Sequence, residues 1–358
     1  MNVISVVMLV FSVLGAIDYM TGNHFGIGKD FERGISLMGT MILSMVGMIV
    51  IAPLIAVVLE PMLKAIPDWV PFEPSVIAGS LLANDMGGAP LSMELAKTPL
   101  SGYFNGLVVG SMMGATISFS LPLALGVTKT EQRSSIMLGL MCGIAAIPVG
   151  CIVSGIIMGM PAGELAINVI PLVIFSGVLA LGLIKIPALC VKAFSVFGVI
   201  IKTLIIIGLM IGIAEFLLGM DIVPYTADVM EGVRVCFNAT AVMTGAFPLL
   251  SILSRLLKKP MGVFSNKIGM NEVSALGFIS TLATNVTTFG MMEDMDDKGV
   301  VLNSAFAVSA AFVFAGHLAF TMSFKAEYLA AVIFGKLAAG VCAVIIAQFM
   351  YKKMKKGA

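Results

Sequence analysis

The sequence predicts an all-α polytopic membrane protein built from two inverted five-element repeats, each holding a re-entrant or broken helical hairpin. Composition, a recurring offset between the two halves, and the sidedness of the basic residues predict it. Of 358 residues, 59% are hydrophobic and 11% charged, and mean hydropathy is +1.07. Soluble domains carry about 25% charged residues. A run of about 20 apolar residues spans a bilayer, and this chain has many, so the lipid bilayer is the partner its composition demands. A net charge of +1 gives no basis for nucleic-acid binding. Cys142, Cys151, Cys190, Cys236 and Cys342 fall in or beside apolar runs without metal-ligand spacing. They read as small buried hydrophobes, and no metal or cofactor is called for.

Apolar elements are expected at about 3–19, 35–60, 75–96, 102–125, 135–159, 165–184, 193–219, 233–257, 272–292, 300–322 and 328–351. Met1 to Ile17 lacks the basic start of a cleavable signal peptide, so the first element is expected to remain. Linkers are read at Glu60-Pro61, Pro67 to Pro74, Thr128 to Arg133, Met160-Pro161 and Lys258-Lys259-Pro260.

The third and ninth elements differ from the rest. Leu82-Ala83-Asn84-Asp85 is echoed by Leu282-Ala283-Thr284-Asn285, and Thr287 and Thr288 follow. Matches continue at a nearly fixed offset of 198 or 199: Asp30 with Asp228, Gly34 with Gly232, Gly47 with Gly245, Glu94 with Glu293, Asn105 with Asn303. Residues 1–159 therefore read as a first repeat, 160–189 as a connecting helix and 190–358 as a second repeat. Polar, Gly-interrupted segments at corresponding places in two halves point to the binding site of a secondary transporter.

Basic residues set the topology. If all eleven elements cross, Lys and Arg divide almost evenly between the two faces. If the third and ninth enter and leave on one side, fifteen fall on one face and only Lys64, Lys97, Arg234 and Lys325 on the other. The second arrangement obeys the positive-inside rule. It gives nine full spans plus two re-entrant elements, an external N-terminus and a cytoplasmic C-terminus. Irregular backbone at membrane depth is tolerated where protein or a water-filled cavity covers it.

Asp85 is an ionisable group expected at membrane depth, which reads either as an ion-pair or capping residue or as the carboxylate for a cationic ligand or coupling ion. Asn84, Asn285, Thr287 and Thr288 can cap broken helices or hydrogen-bond a bound solute. Thr284, Asn285 and Thr287 are the candidates for an ion site. Gly87, Gly88 and Pro90 carry a turn signal, with Gly290 as the second hinge candidate. Asp294, Asp296 and Asp297 read as a solvated acidic loop. Lys202, Glu215 and His317 lie inside spans, His317 as a satisfied bundle residue. Asn105 and Asn238 read as interhelical hydrogen-bond donors.

Asn84-Asp85-Met86-Gly87-Gly88 within the stretch beginning Pro74-Ser75, together with Phe31-Glu32-Arg33-Gly34, Ser44 to Met48 and Pro53, resembles the ethanolamine permease of bacterial ethanolamine-utilisation operons. The resemblance covers essentially the whole chain and is strongest over about 30–125. It implies a transporter of the bacterial cytoplasmic (inner) membrane that supplies ethanolamine to a lyase-containing microcompartment. Protonated ethanolamine is a small cation with a hydroxyl; a buried carboxylate matches its ammonium, and Asn or Thr matches its hydroxyl. The alternatives are a sodium- or proton-coupled symporter of another small polar or anionic solute, a channel, and a polytopic enzyme. Against an enzyme, His24 and His317 are the only histidines, and neither HExxH nor a P-loop is present. The sequence leaves a homo-oligomer open.

Overall fold

A computed structural model describes residues 3–64, 66, 72–82, 87–127 and 130–357. Asn84 and Asp85 lie outside the described residues. The described chain is helical, without strands. Its α-helices are α1 (Val3–Met20), α2 (Gly28–Met41), α3 (Gly47–Lys64), α4 (Ser75–Ile77), α5 (Ala89–Leu95), α6 (Pro99–Tyr103), α7 (Leu121–Val127) and α8 (Arg133–Ile157). After these come α9 (Ala162–Lys185), α10 (Pro187–Leu218), α11 (Val229–Ile268), α12 (Glu272–Ala283), α13 (Asn285–Gly290), α14 (Asp297–Ala310), α15 (Gly316–Lys325) and α16 (Leu329–Gly357). Among the described residues, seven helical stretches are long and apolar enough to cross a bilayer, with two shorter apolar helices at Ile4–Met20 and Glu272–Ala283. The chain is a multi-pass membrane protein.

Local chemistry sets the boundaries. The Asp18 carboxylate accepts the amides of Phe25, Ile27 and Gly28 at 2.8–2.9 Å, closing the turn from α1 into α2. Asp228 caps α11 by accepting the Met230 amide at 3.0 Å. Helix α11 ends on Gly269, whose φ of 70° is the left-handed cap that glycine adopts freely.

Three sequence expectations are corrected. The linker read at Glu60-Pro61 lies inside α3, and that at Lys258-Lys259-Pro260 lies inside α11, which runs unbroken for 40 residues. Proline is tolerated in such helices because neighbouring groups satisfy the freed backbone. The element expected at 300–322 is not continuous: α14 stops at Ala310 and α15 starts at Gly316. Between them Phe312 has a φ of 61°, a conformation a bulky residue adopts only where its surroundings enforce it. The unwound chain donates its Phe312 and Phe314 amides to Thr281 and Leu282 carbonyls at 3.1 Å. The break is therefore built onto α12, its hydrogen bonds supplied by the second hairpin.

The core lies around a π-helical run, Phe104–Gly114, every residue of which is buried. It packs with α8, α14 and α16. A second body of contacts joins α1, α2 and α11, and a third joins α3 to α10. A π-turn costs backbone geometry and is found mostly as a single turn, frequently at functional sites. Here further π-turns fall at Ile42–Val46, Ala78–Leu82 and Thr116–Ser120.

Candidate functional site

Both polar elements are interrupted helices. The first has α4 and the π-turn Ala78–Leu82 on one arm and α5 on the other, with Gly87 and Gly88 buried in the turn that opens α5. Pro90 occupies the first turn of α5, where its missing N–H is no loss. In the second, α12 ends at Thr284, whose extended backbone also caps α13. The Thr284 hydroxyl accepts the Val286 amide at 3.3 Å.

The bases of the two hairpins are held by similar chemistry. At the first, Glu73 accepts the Ser75 hydroxyl at 2.9 Å and the Lys97 amide at 3.1 Å. The Asn105 side-chain amide donates to Ser75 Oγ at 2.7 Å and to Asn168 Oδ1 at 2.6 Å. Asn168 continues to Ser101, and Ser101 to Glu164 on α9. At the second, Asp296 accepts the Ser274 hydroxyl at 2.6 Å, and the Asn303 side-chain amide donates to the Ser274 carbonyl at 2.8 Å. Asp296 is thus a structural acceptor rather than a residue of a solvated loop. Beside it, Lys298 donates to the Ile268 carbonyl. Burial, then the neighbouring Lys352, push its ammonium below the ordinary lysine value, against the pull of Asp296.

The predicted tip residues divide. Asn285 is fully buried and donates its side-chain amide to Ser120 Oγ at 2.7 Å, while its Oδ1 has no hydrogen-bond partner among the described residues. Thr288 turns into the hairpin: its hydroxyl meets Thr281 Oγ1 at 2.9 Å and donates to the Gly277 carbonyl at 3.2 Å, tying α13 to α12. Thr287 and Gly290 are exposed, and Thr287 lines a pocket.

That pocket, of about 290 Å³, contains Asp30, Ser251, Ser254, Thr284 and Thr287. A more enclosed cavity of about 150 Å³ lies beside it, between α2, α11 and the 311–315 break. Arg33, Phe247, Ala283 and Thr284 line both. The Arg33 guanidinium lies 4.7 Å above the Phe247 ring and so stands between the two spaces. A third pocket of about 630 Å³ holds Glu60, Glu94 and Lys97 at the base of the first hairpin.

One residue escaped the sequence reading. Lys336, on α16, is fully buried, and its ammonium donates to the Ser111 carbonyl at 2.6 Å. A single charge inside the apolar run 328–351 was the available signal. Among the described residues no cluster of His, Cys, Asp and Glu has a metal-binding arrangement.

Residues 1–350 match the family model described as "Ethanolamine utilisation protein, EutH". The chain belongs to the EutH family. A protein named "Probable ethanolamine permease EutH" from Listeria monocytogenes serotype 1/2a (strain 10403S) is 40% identical over 355 residues, covering 99% of this chain and 95% of the relative. One of the same name from Escherichia coli (strain K12) is 35% identical over 390 residues, covering 98% and 96%. The "Uncharacterized protein YxeR" of Bacillus subtilis (strain 168) is 34% identical over 344 residues, covering 96% and 93%. No solved structure matches the chain. The EutH resemblance read from Asn84-Asp85-Met86-Gly87-Gly88 is thereby established for the family as a whole.

Proposed function

We propose that this chain is an ethanolamine permease of the bacterial cytoplasmic membrane, a secondary transporter rather than an enzyme. The observation that carries the reading is a pair of interrupted helices facing each other: the Thr284 break and the 311–315 break, hydrogen-bonded together beside an enclosed cavity. Transporters of small solutes bind them near the bilayer midplane between such discontinuous helices. Membership of EutH, with relatives in Listeria monocytogenes and Escherichia coli named for ethanolamine, supports ethanolamine as the solute.

The finer architecture is two repeats, 1–159 and 190–358, with 160–189 between them. Reciprocal packing supports it. Helix α1 packs on α11, and α10 packs on α3; the run Phe104–Gly114 touches α16, and α14 touches α8. Each contact recurs with the halves exchanged, as a two-fold relation requires. The Asn105–Ser75–Glu73 and Asn303–Ser274–Asp296 networks recur likewise. With nine spans and two re-entrant elements the repeats are inverted, and the N-terminus is external and the C-terminus cytoplasmic. The fifteen-to-four division of basic residues supports that orientation.

In this reading Asp85 pairs with the ammonium of protonated ethanolamine. Asn84, Asn285 and Thr287 orient the solute or hold the tips, and Thr288 holds the second hairpin closed. Uptake of labelled ethanolamine into proteoliposomes, with sodium, proton and voltage gradients imposed one at a time, tests the reading. Saturable, counterflow-capable uptake is expected. Non-saturable flux indicates a channel, and absence of uptake under every gradient overturns the assignment.

A further inference from the structure

We propose that the cavity between Thr284 and the 311–315 break is the seat of the substrate's ammonium, and that its phenylalanine wall selects a small organic cation. The proposal rests on the permease reading and adds the side chains that recognise the solute. Its volume is about 150 Å³, room for roughly five water-sized groups at ~30 Å³ each, which suits a solute as small as ethanolamine.

The wall is unusual for a cation site. Phe247, Phe312, Phe320 and His317 supply four rings, and no carboxylate lines the cavity among the described residues. A desolvated ammonium can be held by the negative faces of such rings. One ring already holds a cation: the Arg33 guanidinium lies 4.7 Å above Phe247. The other rings are braced by aromatic neighbours. Phe312 packs edge-on against Phe119 at 5.8 Å and tilted against His317 at 5.2 Å, while Phe320 stacks on Phe324 at 5.3 Å. The left-handed Phe312 backbone places this ring at the break and is held there by the Thr281 carbonyl. Such strain persists where the surroundings over-determine it, and it clusters at ligand sites. Hydroxyls complete the lining. Thr284 and Ser44 offer partners to a solute hydroxyl, a combination that favours an amino alcohol over a bare metal ion.

Selection by rings is separable from neutralisation by a carboxylate. The carboxylate proposed at Asp85 would neutralise the cation it pairs with, whereas the rings discriminate an organic ammonium from sodium or potassium, which keep their hydration more tightly.

The test uses the full-length protein in proteoliposomes. Phe247→Leu and Phe320→Leu remove one ring each and should raise the KM for ethanolamine about tenfold with little change in the maximal rate. That factor is about 1.4 kcal/mol, the size of a partly desolvated cation–π contact. Phe320→Tyr keeps the ring and should restore the KM, which separates recognition from packing. As an independent readout, Ser44→Cys should react with a small thiol reagent, and saturating ethanolamine should protect it. Wild-type KM in both leucine variants, or Ser44→Cys alkylation unaffected by ethanolamine in transporting vesicles, overturns the seat. If the wild-type protein itself takes up no ethanolamine, the permease reading fails instead, so the two failures are distinguishable.

Discussion

Gly34 lies against the backbone of Thr244, so closely that a Cβ added at position 34 would stand 2.7 Å from the Thr244 Cα. Gly232 lies against Val46, where an added Cβ would stand 2.8 Å from Cγ1. Adding 198 to 34 gives 232, and adding 198 to 46 gives 244. The two contacts are one contact seen from either half. Gly47 and Gly245, also 198 apart, make related approaches one position out of that register: Gly47 abuts the Ile205 carbonyl and Gly245 the Met8 carbonyl. Small residues let helices approach this closely in membranes, where packing rather than hydrophobicity drives association.

Gly47→Ala and Gly245→Ala should therefore each destabilise the protein, by about 1–3 kcal/mol, the usual cost of overpacking. Gly39→Ala is the control, because nothing lies within 4 Å of the added methyl. Thermal unfolding in detergent should show lower Tm values for the first two variants and an unchanged or raised Tm for the third. Equal Tm values in all three would remove the close-approach explanation of the repeat.

Neutralising Asp85 should abolish uptake while leaving the protein in the membrane. Asp85→Asn keeps the side chain's size and removes the charge that pairs with the ammonium. Such a pair is strongest where water is excluded. Uptake and membrane abundance are measured on the same cells. Near-normal uptake by an abundant Asp85→Asn protein would show that the carboxylate does not bind the substrate.

Single cysteines read the topology. Replacements at Lys64 and Lys97 should react with an impermeant reagent from outside, and those at Arg133, Lys258 and the C-terminus only after permeabilisation. Labelling of positions 64 and 97 from opposite faces would mean that the first hairpin crosses the bilayer, and the inverted arrangement would fall.

The membrane class was legible in the sequence because hydropathy reports transfer into lipid directly, and the Thr284 interruption because Thr and Asn break an apolar run. The 311–315 break was not. Ala305 to Ala315 is apolar apart from Ser309, and the left-handed residue is Phe312, where a reader looks for glycine. It is tied to α12 by the Phe312 and Phe314 amides, which donate to the Thr281 and Leu282 carbonyls. The π-turns of 104–120 left no signature either, since a wider turn needs no special residue. Thr288 carried the right chemistry, yet its burial against Thr281 and Gly277 is a matter of side-chain direction, which spacing alone does not give.

Lys336 changes the electrostatics of transport. Protonated ethanolamine carries one positive charge inward, and an interior-negative potential of 100 mV favours that by about 2.3 kcal/mol, enough for roughly 50-fold accumulation. A valinomycin-induced potassium potential alone should then drive accumulation without sodium or a pH gradient. Accumulation that appears only with sodium would make the protein a symporter, with Thr284, Asn285 and Thr287 the first ion-site candidates. The buried Lys336 supplies a test of which step feels the potential. If Asp85 and Lys336 are the charges that travel with the solute, the unloaded pair is neutral and the loaded set carries one net charge, so the loaded step is voltage-sensitive. Lys336→Met keeps an apolar stem of similar length and removes the charge, which buried ion groups often tolerate. The loaded bundle of that variant is neutral. Exchange of labelled for unlabelled ethanolamine, which bypasses the empty carrier, should respond to voltage in the wild type and not in Lys336→Met. An equal response in both would mean that Lys336 only secures α16 to the Ser111 carbonyl.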